Sequence, residues 1–230
     1  MRSLPLLPLT LLLILSCSPL RMYQQLPEVK SWENDIRLFE HLDSTETYPD
    51  SAILFAGSSS IRLWSTLAQD MAPYPVIQRG YGGAKLSDLA VYAGNIFYAH
   101  PCRAIVLFIA NDIAGNIEDK SPEEVARLFR IVLKTIREKY PDTPVYWIAT
   151  TPTASRWNVW PAIAEANRLI EEFCNRKDNT YFIRTDFAFL DASGQPREEL
   201  FLPDKLHLNA EGYAVWAEII KKELGKVLSE

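Results

Sequence analysis

The chain has 230 residues, of which 48% are hydrophobic and 23% are charged, and its formal net charge is -5. This length and composition predict one globular domain with a sizeable hydrophobic core. Because no basic stripe runs along the sequence, a nucleic-acid partner is not expected.

The N-terminal segment predicts export. One Arg follows Met1 and precedes an apolar stretch over residues 4–15, which is shorter than the ~20 residues that a membrane-spanning helix needs. A short basic start, an apolar middle and a small residue near the end are typical of a secretory signal. We therefore expect residues 1–16 to be a signal peptide, residues 17–30 a tether and residues 31–230 the folded domain.

Cys17 has two interpretations. Residues 14–17, Ile-Leu-Ser-Cys, resemble a bacterial lipobox, in which the cysteine is lipidated after cleavage. On this preferred interpretation, acyl chains tether the domain to a bacterial envelope membrane, facing the periplasm or the exterior. The alternative is an ordinary cleaved signal in which the cysteine is incidental. The other cysteines, Cys102 and Cys174, could pair in an oxidising compartment or remain two buried thiols.

Strand and helix patterns alternate along the rest of the chain. Apolar residues at helical spacing predict a leading helix near residues 28–43, and short continuous apolar runs predict strands buried on both faces. In chain order, strands are expected over residues 51–57, 76–79, 104–110, 145–149 and 181–184. Helices are expected over residues 61–71, 84–98, 121–140, 160–175 and 210–228. The alternation predicts right-handed βαβ crossovers and a largely parallel sheet with helices on both faces.

Small and polar residues follow the first three predicted strands. Ser59 lies in a Gly-Ser-Ser-Ser sequence after the first, Gly83 ends the turn after the second, and Asn111 follows the third. Ligands of open parallel sheets bind beyond the carboxyl ends of the strands, so these residues are expected at one edge. Ser59 is the preferred nucleophile, and Ser58 or Ser60 could act instead.

An Asp and a His three residues apart precede the last predicted helix. The carboxylate of Asp204 can accept the Nδ1–H of His207, which leaves Nε2 basic and free to face a nucleophile. A serine hydroxyl needs such a base, because it is a poor nucleophile until its proton is removed. The backbone N–H groups of Ser59 and Gly83 and the side-chain amide of Asn111 are candidate donors to a tetrahedral oxyanion. Alternatively, His207 only caps or packs at the helix start.

The order of these motifs resembles the SGNH/GDSL hydrolase family, which is named for its Ser, Gly, Asn and His residues. The resemblance runs from about residue 53 to residue 213 and implies a flavodoxin-like α/β/α sandwich with five parallel strands. It also implies ester hydrolysis without a metal or a cofactor. The implied triad is Ser59, His207 and Asp204, and the implied oxyanion donors are Ser59, Gly83 and Asn111.

Two positions depart from the family's pattern. Ser58 stands where the family usually has an Asp, but that Asp is not a member of the triad. The family's usual Gly near Asn111 is missing, because Ile109 and Ala110 precede it, so the sequence does not fix the pose of the Asn111 amide. The next residue, Asp112, is expected to anchor local backbone.

Three functions are consistent with this sequence. The first is a serine esterase of the cell envelope that cleaves an acyl or acetyl ester, either on a polysaccharide or on a lysophospholipid. The second is acyl transfer to a sugar hydroxyl by the same triad. The third is an envelope lipoprotein that binds a glycan or a partner without chemistry. Since every residue of the triad is present, the esterase is the main hypothesis and the binding protein ranks last. The sequence does not determine the oligomeric state.

Overall fold

The computed structural model describes residues 20–228. The predicted signal peptide, residues 1–16, and the predicted lipidation site Cys17 lie outside the described residues. Between residues 20 and 228, no helix is both long enough and apolar enough to cross a membrane.

The first described residues fold onto the domain. Helices α1 (Leu20–Gln24) and α2 (Pro27–Lys30) bury the side chains of Tyr23 and Val29. Burying these apolar side chains removes them from water, which stabilises their packing on the core. Residues 20–30, which the sequence predicts as part of a tether, therefore contain two short helices that Tyr23 and Val29 anchor to the domain, while most of the other side chains are exposed.

Beyond these two helices, the described chain alternates strands and helices. The strands are β1 (Ile53–Gly57), β2 (Val76–Gly80), β3 (Ala104–Phe108), β4 (Val145–Ile148) and β5 (Thr180–Ile183). The helices are α3 (Glu33–Thr45), α4 (Ser59–Arg62), α5 (Leu67–Asp70), α6 (Leu86–Phe97), α7 (Pro122–Lys139), α8 (Trp160–Cys174) and α9 (Ala210–Val227). Short 3₁₀ helices cover Ala154–Val159, Asp186–Phe189 and Glu198–Leu200.

The strands form one parallel sheet in the order β2-β1-β3-β4-β5. Every residue of β1 and β3 is buried, as expected for central strands covered on both faces. The strand order reverses between β1 and β3, and ligands of such sheets bind at that reversal. The predicted α/β/α architecture with five parallel strands is therefore confirmed.

Two apolar clusters lie on opposite faces of the sheet. Along β1, Leu54 belongs to the cluster that α6, α7 and α8 cover, and Phe55 belongs to the cluster that α9 covers. This division follows from the strand geometry, because successive side chains point to opposite faces. Trp147 and Trp216 are fully buried in the first and second cluster, respectively.

Two helices differ from their predictions. The leading helix, expected near residues 28–43, is divided into α2 and α3 by a turn at residues 31 and 32. Residues 61–71 are divided between α4 and α5, with residues 63–66 between them. Trp64 is buried, and its Nε1–H donates to the Oδ2 of Asp70 at 2.6 Å. The hydroxyl of Thr66 donates to the same oxygen at 2.6 Å. The side-chain amide of Gln78 donates to the carbonyls of Ile61 at 2.6 Å and Trp64 at 3.2 Å, and side-chain bonds to the backbone compete in this way with the helical pattern.

Cys102 and Cys174 are free, buried thiols, so the disulfide alternative is not the arrangement in the structure. Burial raises the pKa of Cys102 to about 11 and the pKa of Cys174 to about 12. Buried thiols with raised pKa values are unreactive at neutral pH.

Candidate active site

The turn after β1 brings Ser59 to the carboxyl edge of the sheet. The backbone N–H of Ser58 donates to the carbonyl of Phe108 at 2.9 Å, and Ser59 begins α4. Gly57 permits this close approach, because a Cβ there would lie 2.0 Å from the same carbonyl oxygen. The Gly-Ser-Ser-Ser sequence therefore turns tightly against β3 and leaves Ser59 partly exposed.

The loop before α9 holds Asp204 and His207 through short-range hydrogen bonds. Oδ1 of Asp204 accepts the backbone N–H groups of Leu206 and His207, each at 3.0 Å. The backbone N–H of Leu202 donates to the His207 carbonyl at 2.7 Å and closes the loop. Lys205 within it has a φ of 55°, a left-handed conformation that is uncommon for a residue other than glycine.

The structure brings Ser59, His207 and Asp204 into one chain of hydrogen bonds. Nδ1 of His207 lies 2.7 Å from Oδ2 of Asp204, and Nε2 lies 2.9 Å from Oγ of Ser59. Desolvation raises the pKa of Asp204, but hydrogen bonds from His207 and from two backbone N–H groups outweigh it and lower the pKa overall. A carboxylate can only accept, so it suits an Nδ1–H donor and leaves Nε2 free to accept a hydrogen bond from the Ser59 hydroxyl.

The two neighbouring serines have other surroundings. Ser58 is 1% exposed, and its backbone is committed to β3. The carbonyl of Ser60 accepts a hydrogen bond from the Tyr213 hydroxyl at 2.9 Å. Ser59 is the serine whose hydroxyl lies within hydrogen-bond reach of the His207 ring, so the geometry favours it over both alternatives.

Asn111 lines the same cleft as Ser59 and His207. Its Nδ2 donates to the carbonyl of Ala84 at 3.0 Å. Gly83 immediately precedes Ala84, is exposed, and lies outside the described residues that line the cleft. The structure therefore brings two of the three predicted oxyanion donors to the cleft and joins the Gly83 turn to them through Ala84.

Asp112 anchors the start of α6, in keeping with its expected role. Its carboxylate accepts the backbone N–H of Leu86 at 2.9 Å and pairs with Nζ of Lys120 at 3.1 Å. Burial raises the pKa of Asp112, and the Lys120 charge opposes that shift. Asn111 and the residue that follows it are thus both hydrogen-bonded to the segment that runs from β2 into the start of α6.

Arg156 also lines the cleft, although no motif in the sequence points to it. Its Nη2 donates to Oδ1 of Asn111 at 2.8 Å, and its Nη1 donates to the carbonyl of Ala110. Burial lowers the pKa of the guanidinium, and the charge of Asp119 opposes that change. A signal that could have found it is an Arg beyond the end of β4, at the same edge of the sheet as the other cleft residues.

The cleft itself is narrow. Its cavity volume is about 20 Å³, which is room for about one water molecule. Among residues 20–228, no group of three or more His, Cys, Asp or Glu side chains is arranged to hold a metal ion. The described residues that line the cleft are Ser58, Ser59, Ser60, Phe108, Ala110, Asn111, Thr150, Thr151, Thr153, Arg156, Leu206, His207 and Leu208.

Solved structures with the same fold come from several organisms. A protein from Streptococcus pneumonia named for platelet activating factor has a TM-score of 0.74 and 21% identity, covering 89% of this chain and 99% of its own. A GDSL-like lipase from Bacteroides thetaiotaomicron has a TM-score of 0.69 and 16% identity, covering 84% of this chain and 98% of its own. A carbohydrate esterase family 3 protein from Talaromyces cellulolyticus has a TM-score of 0.58 and 16% identity, covering 77% and 97%. At these identities the likeness shows the fold alone.

The family is shown by a sequence comparison that is independent of these structures. No curated protein matches the chain significantly. The GDSL-like lipase/acylhydrolase family model, by contrast, matches residues 43–215, which is well over half of the chain and includes both the serine turn and the Asp204–His207 loop. The chain therefore belongs to the GDSL-like lipase/acylhydrolase family and is a hydrolase of ester bonds.

Proposed function

We propose that this hydrolase is a serine esterase that cleaves an acetyl or other short acyl ester through an acyl-enzyme. The observation that carries the proposal is the chain of contacts from Asp204 through His207 to Ser59, at 2.7 Å and 2.9 Å. Oγ of Ser59 and Nε2 of His207, between which the proton would pass, are within hydrogen-bond reach before any substrate is bound. We assign the nucleophile to Ser59, the general base to His207 and the orienting carboxylate to Asp204.

The first half of the reaction forms the acyl-enzyme. Oγ of Ser59 attacks the ester carbonyl carbon while its proton passes to Nε2 of His207. The resulting imidazolium is stabilised by Asp204, and the oxyanion accepts hydrogen bonds from preorganised donors. We propose the backbone N–H groups of Ser59 and Gly83 and the amide of Asn111 as those donors. The bond to the alcohol oxygen then breaks, and the alcohol leaves with the proton from His207.

The second half releases the acid. A water molecule gives its proton to Nε2 of His207 and attacks the acyl carbonyl carbon. The second tetrahedral intermediate uses the same oxyanion donors. It collapses when the proton returns to Oγ of Ser59, which regenerates the enzyme with its hydroxyl free.

Two features support a short acyl group on a carbohydrate or lysophospholipid-like alcohol. The cavity of about 20 Å³ beside Ser59 has little room for a long acyl chain unless its lining moves. Ser59 and His207 are both partly exposed, so the alcohol half of an ester could extend from the cleft into solvent. The fold neighbour named as a carbohydrate esterase is in keeping with a sugar ester but does not by itself select it.

We propose further that the enzyme is exported and tethered to an envelope membrane through Cys17. The support is the sequence of residues 1–17 alone, with its apolar stretch and lipobox-like end. Expression in a bacterium with labelled palmitate should label the full-length chain and should leave a Cys17→Ser variant unlabelled and released from the membrane fraction. Equal labelling of both proteins would contradict the anchor.

Hydrolysis of p-nitrophenyl acetate and labelling by a fluorophosphonate test the catalytic assignment. Wild type should turn over the ester and take up the probe, and Ser59→Ala should do neither. Ser65→Ala is the matched control, because Ser65 is exposed and lies beyond the cleft, so it should behave as wild type.

Three other outcomes would change the assignment. A wild type without turnover or labelling would indicate a binding protein instead. Equal labelling of wild type and Ser59→Ala would indicate that a different serine is the nucleophile. Acetyl-glycerol formed in glycerol-containing buffer in preference to acetate would favour acyl transfer over hydrolysis.

A further inference from the structure

We infer that Arg156 is a positioning residue of the oxyanion hole: it holds the Asn111 amide in the orientation that presents Nδ2 to the reacting ester. This inference rests on the proposed function, because it gives a role to a residue that acts through a proposed oxyanion donor. It also explains how the pose of Asn111 is fixed although the family's usual Gly near it is missing.

The first observation is that the partners of the Asn111 amide leave it one orientation. Oδ1 accepts a hydrogen bond from Nη2 of Arg156 at 2.8 Å, and Nδ2 donates to the carbonyl of Ala84 at 3.0 Å. A guanidinium can only donate and a carbonyl can only accept. If the amide were flipped, its NH₂ group would face the guanidinium of Arg156 and its oxygen would face the carbonyl oxygen of Ala84. Both hydrogen bonds would then be lost. Because the amide nitrogen carries two N–H groups, one donor remains after the bond to Ala84.

The second observation is that the guanidinium of Arg156 donates hydrogen bonds to two consecutive residues, Ala110 and Asn111. Its Nη1 donates to the carbonyl of Ala110, and its Nη2 reaches the side chain of Asn111. A rigid, planar fork of this kind fixes both position and angle, which a single flexible ammonium cannot do. The segment after β3 is thereby held without the conformational help of a glycine.

The third observation concerns charge. Both hydrogen bonds from Arg156 end on neutral oxygens, and the charge of Asp119 acts on the guanidinium without a hydrogen bond or an ion pair between them. The side chain is largely buried and lines the cleft with Ser59 and His207. A positive charge bonded to Oδ1 polarises the amide and strengthens Nδ2–H as a donor, and it does so most when an oxyanion forms.

The fourth observation is that the segment carrying Arg156 is itself fixed. Arg156 stands at a kink within the 3₁₀ segment Ala154–Val159, with a φ of -119° and a ψ of 18°, and its backbone N–H donates to the carbonyl of Thr153 at 3.2 Å. The backbone N–H of Ser155 donates to the carbonyl of Lys205, in the loop between Asp204 and His207. One short segment after β4 thus contacts both the Asn111 side and the His207 side of the cleft.

A double-mutant cycle on wild type, Arg156→Ala, Asn111→Ala and the double variant tests this inference with p-nitrophenyl acetate, a neutral substrate. Removing one oxyanion donor lowers kcat by roughly 10²–10³-fold in other hydrolases, so we expect a loss of that order for Asn111→Ala. Arg156→Ala should lower kcat by roughly 10- to 100-fold with KM little changed, because the lost interaction acts in the transition state. The double variant should be no slower than Asn111→Ala alone.

The cycle is informative because a general structural role predicts a different result. If Arg156 supported the cleft independently of Asn111, its removal would slow the two backgrounds by the same factor, and that outcome would overturn the inference. An unchanged kcat in Arg156→Ala would do so as well. Arg176→Ala removes an exposed arginine with the same change in net charge and is the matched control, expected at wild-type activity.

Arg156→Lys separates orientation from charge and covers the case in which Arg156→Ala does not fold. It keeps the positive charge but lacks the fork, so it should recover only part of the lost kcat. Full recovery would show that charge alone suffices and would contradict the positioning role.

A measurement without turnover keeps this inference separate from the proposed function. In ¹⁵N-labelled wild type, the two Nδ2 protons of Asn111 should give separate, protected resonances. In Arg156→Ala they should move towards the values of a solvent-exposed amide and exchange faster. Unchanged Asn111 resonances would overturn the inference even in an active enzyme, and loss of p-nitrophenyl acetate turnover in wild type would instead count against the esterase.

Discussion

The serine turn, residues 57–62, and the histidine loop, residues 201–209, reach the same cleft by different physical means. The serine turn is enclosed by strands that are distant in sequence. A Cβ at Gly57 would lie 2.0 Å from the Phe108 carbonyl oxygen, and a Cβ at Gly80 would lie 2.4 Å from the backbone nitrogen of Arg62. The histidine loop is held mainly by bonds among its own residues, and the side chain of Asp204 is 46% exposed.

Because the two regions are held in different ways, we expect substitutions in the serine turn to affect mainly stability and substitutions in the histidine loop to affect mainly activity. Because the serine turn shares backbone contacts with the central sheet, a change there should weaken the whole domain. A change in the histidine loop breaks short-range bonds near the surface, so it should alter the chemistry more than the folding equilibrium. Four predictions test whether the two regions differ in this way, and they are given in order of decreasing expected effect.

His207→Ala and Asp204→Asn should affect kcat strongly and stability weakly. Losing the base should lower kcat by on the order of 10⁴-fold or more, and losing the orienting carboxylate should lower it by less. Steady-state hydrolysis of p-nitrophenyl acetate and thermal unfolding of the same samples measure both effects. A larger loss in Asp204→Asn than in His207→Ala would contradict the assigned roles.

Gly57→Ala should have the opposite profile. The added methyl group meets the backbone of β3, which cannot move without disturbing the sheet, so the free energy of unfolding should fall by about 3 kcal/mol. Gly225→Ala is the matched control, since no atom lies within 4 Å of its added Cβ and alanine favours a helix. Denaturant unfolding measures both variants. Equal stability of Gly57→Ala and wild type would refute the enclosed turn.

Tyr213→Phe removes a bond that joins the two regions. The Tyr213 hydroxyl on α9 donates to the carbonyl of Ser60 in the serine turn, and burial raises the pKa of that hydroxyl. Its loss should lower the free energy of unfolding by about 1 kcal/mol. Tyr181→Phe is the control, because its hydroxyl makes no hydrogen bond in the described part of the chain. A similar cost for both substitutions would mean that the bond contributes nothing specific.

Acid should weaken the histidine loop slightly. The folded-state pKa of Asp204 is lowered below its ordinary value of 3.8, so this carboxylate contributes stability above that value and loses it as the pH falls through the folded-state pKa. The effect should be small, because solvent screens a side chain that is 46% exposed. The difference in Tm between wild type and Asp204→Asn should shrink between pH 5 and about pH 2.5. If the difference in Tm grew as the pH fell, the ionised carboxylate of Asp204 would be destabilising rather than stabilising.

Much of the fold was predictable because parallel strands covered on both faces have a distinct pattern. The run over residues 104–110 is apolar throughout, and β3 is accordingly buried throughout. The division of residues 61–71 into two helices was not predictable, because the carbonyls of Ile61 and Trp64 accept hydrogen bonds from Gln78 on the neighbouring strand. The packing of residues 20–30 was missed for a similar reason, since Tyr23 is buried only by helices that come later in the chain.

Most residues of the candidate site could be predicted from the sequence, but the contacts that hold them in place could not. Ser59, Asn111, Asp204 and His207 lie together, whereas Gly83 lies in the adjoining turn, and their catalytic roles stay predictions that the variants above test. The role inferred for Arg156 could not be read from the sequence, because 45 residues separate it from Asn111 and nothing in their spacing indicates a contact.

The alternation of strands and helices and the local pairing of Asp204 with His207 could be predicted from the amino-acid sequence, because burial patterns and three-residue spacings act over short stretches of chain. The tertiary structure alone decided that His207 reaches Ser59, 148 residues away, and that Arg156 grips the Asn111 amide. Those contacts depend on how the strands align at one edge of the sheet and on how the loops beyond them pack, and both are settled by long-range packing that no short stretch of sequence specifies.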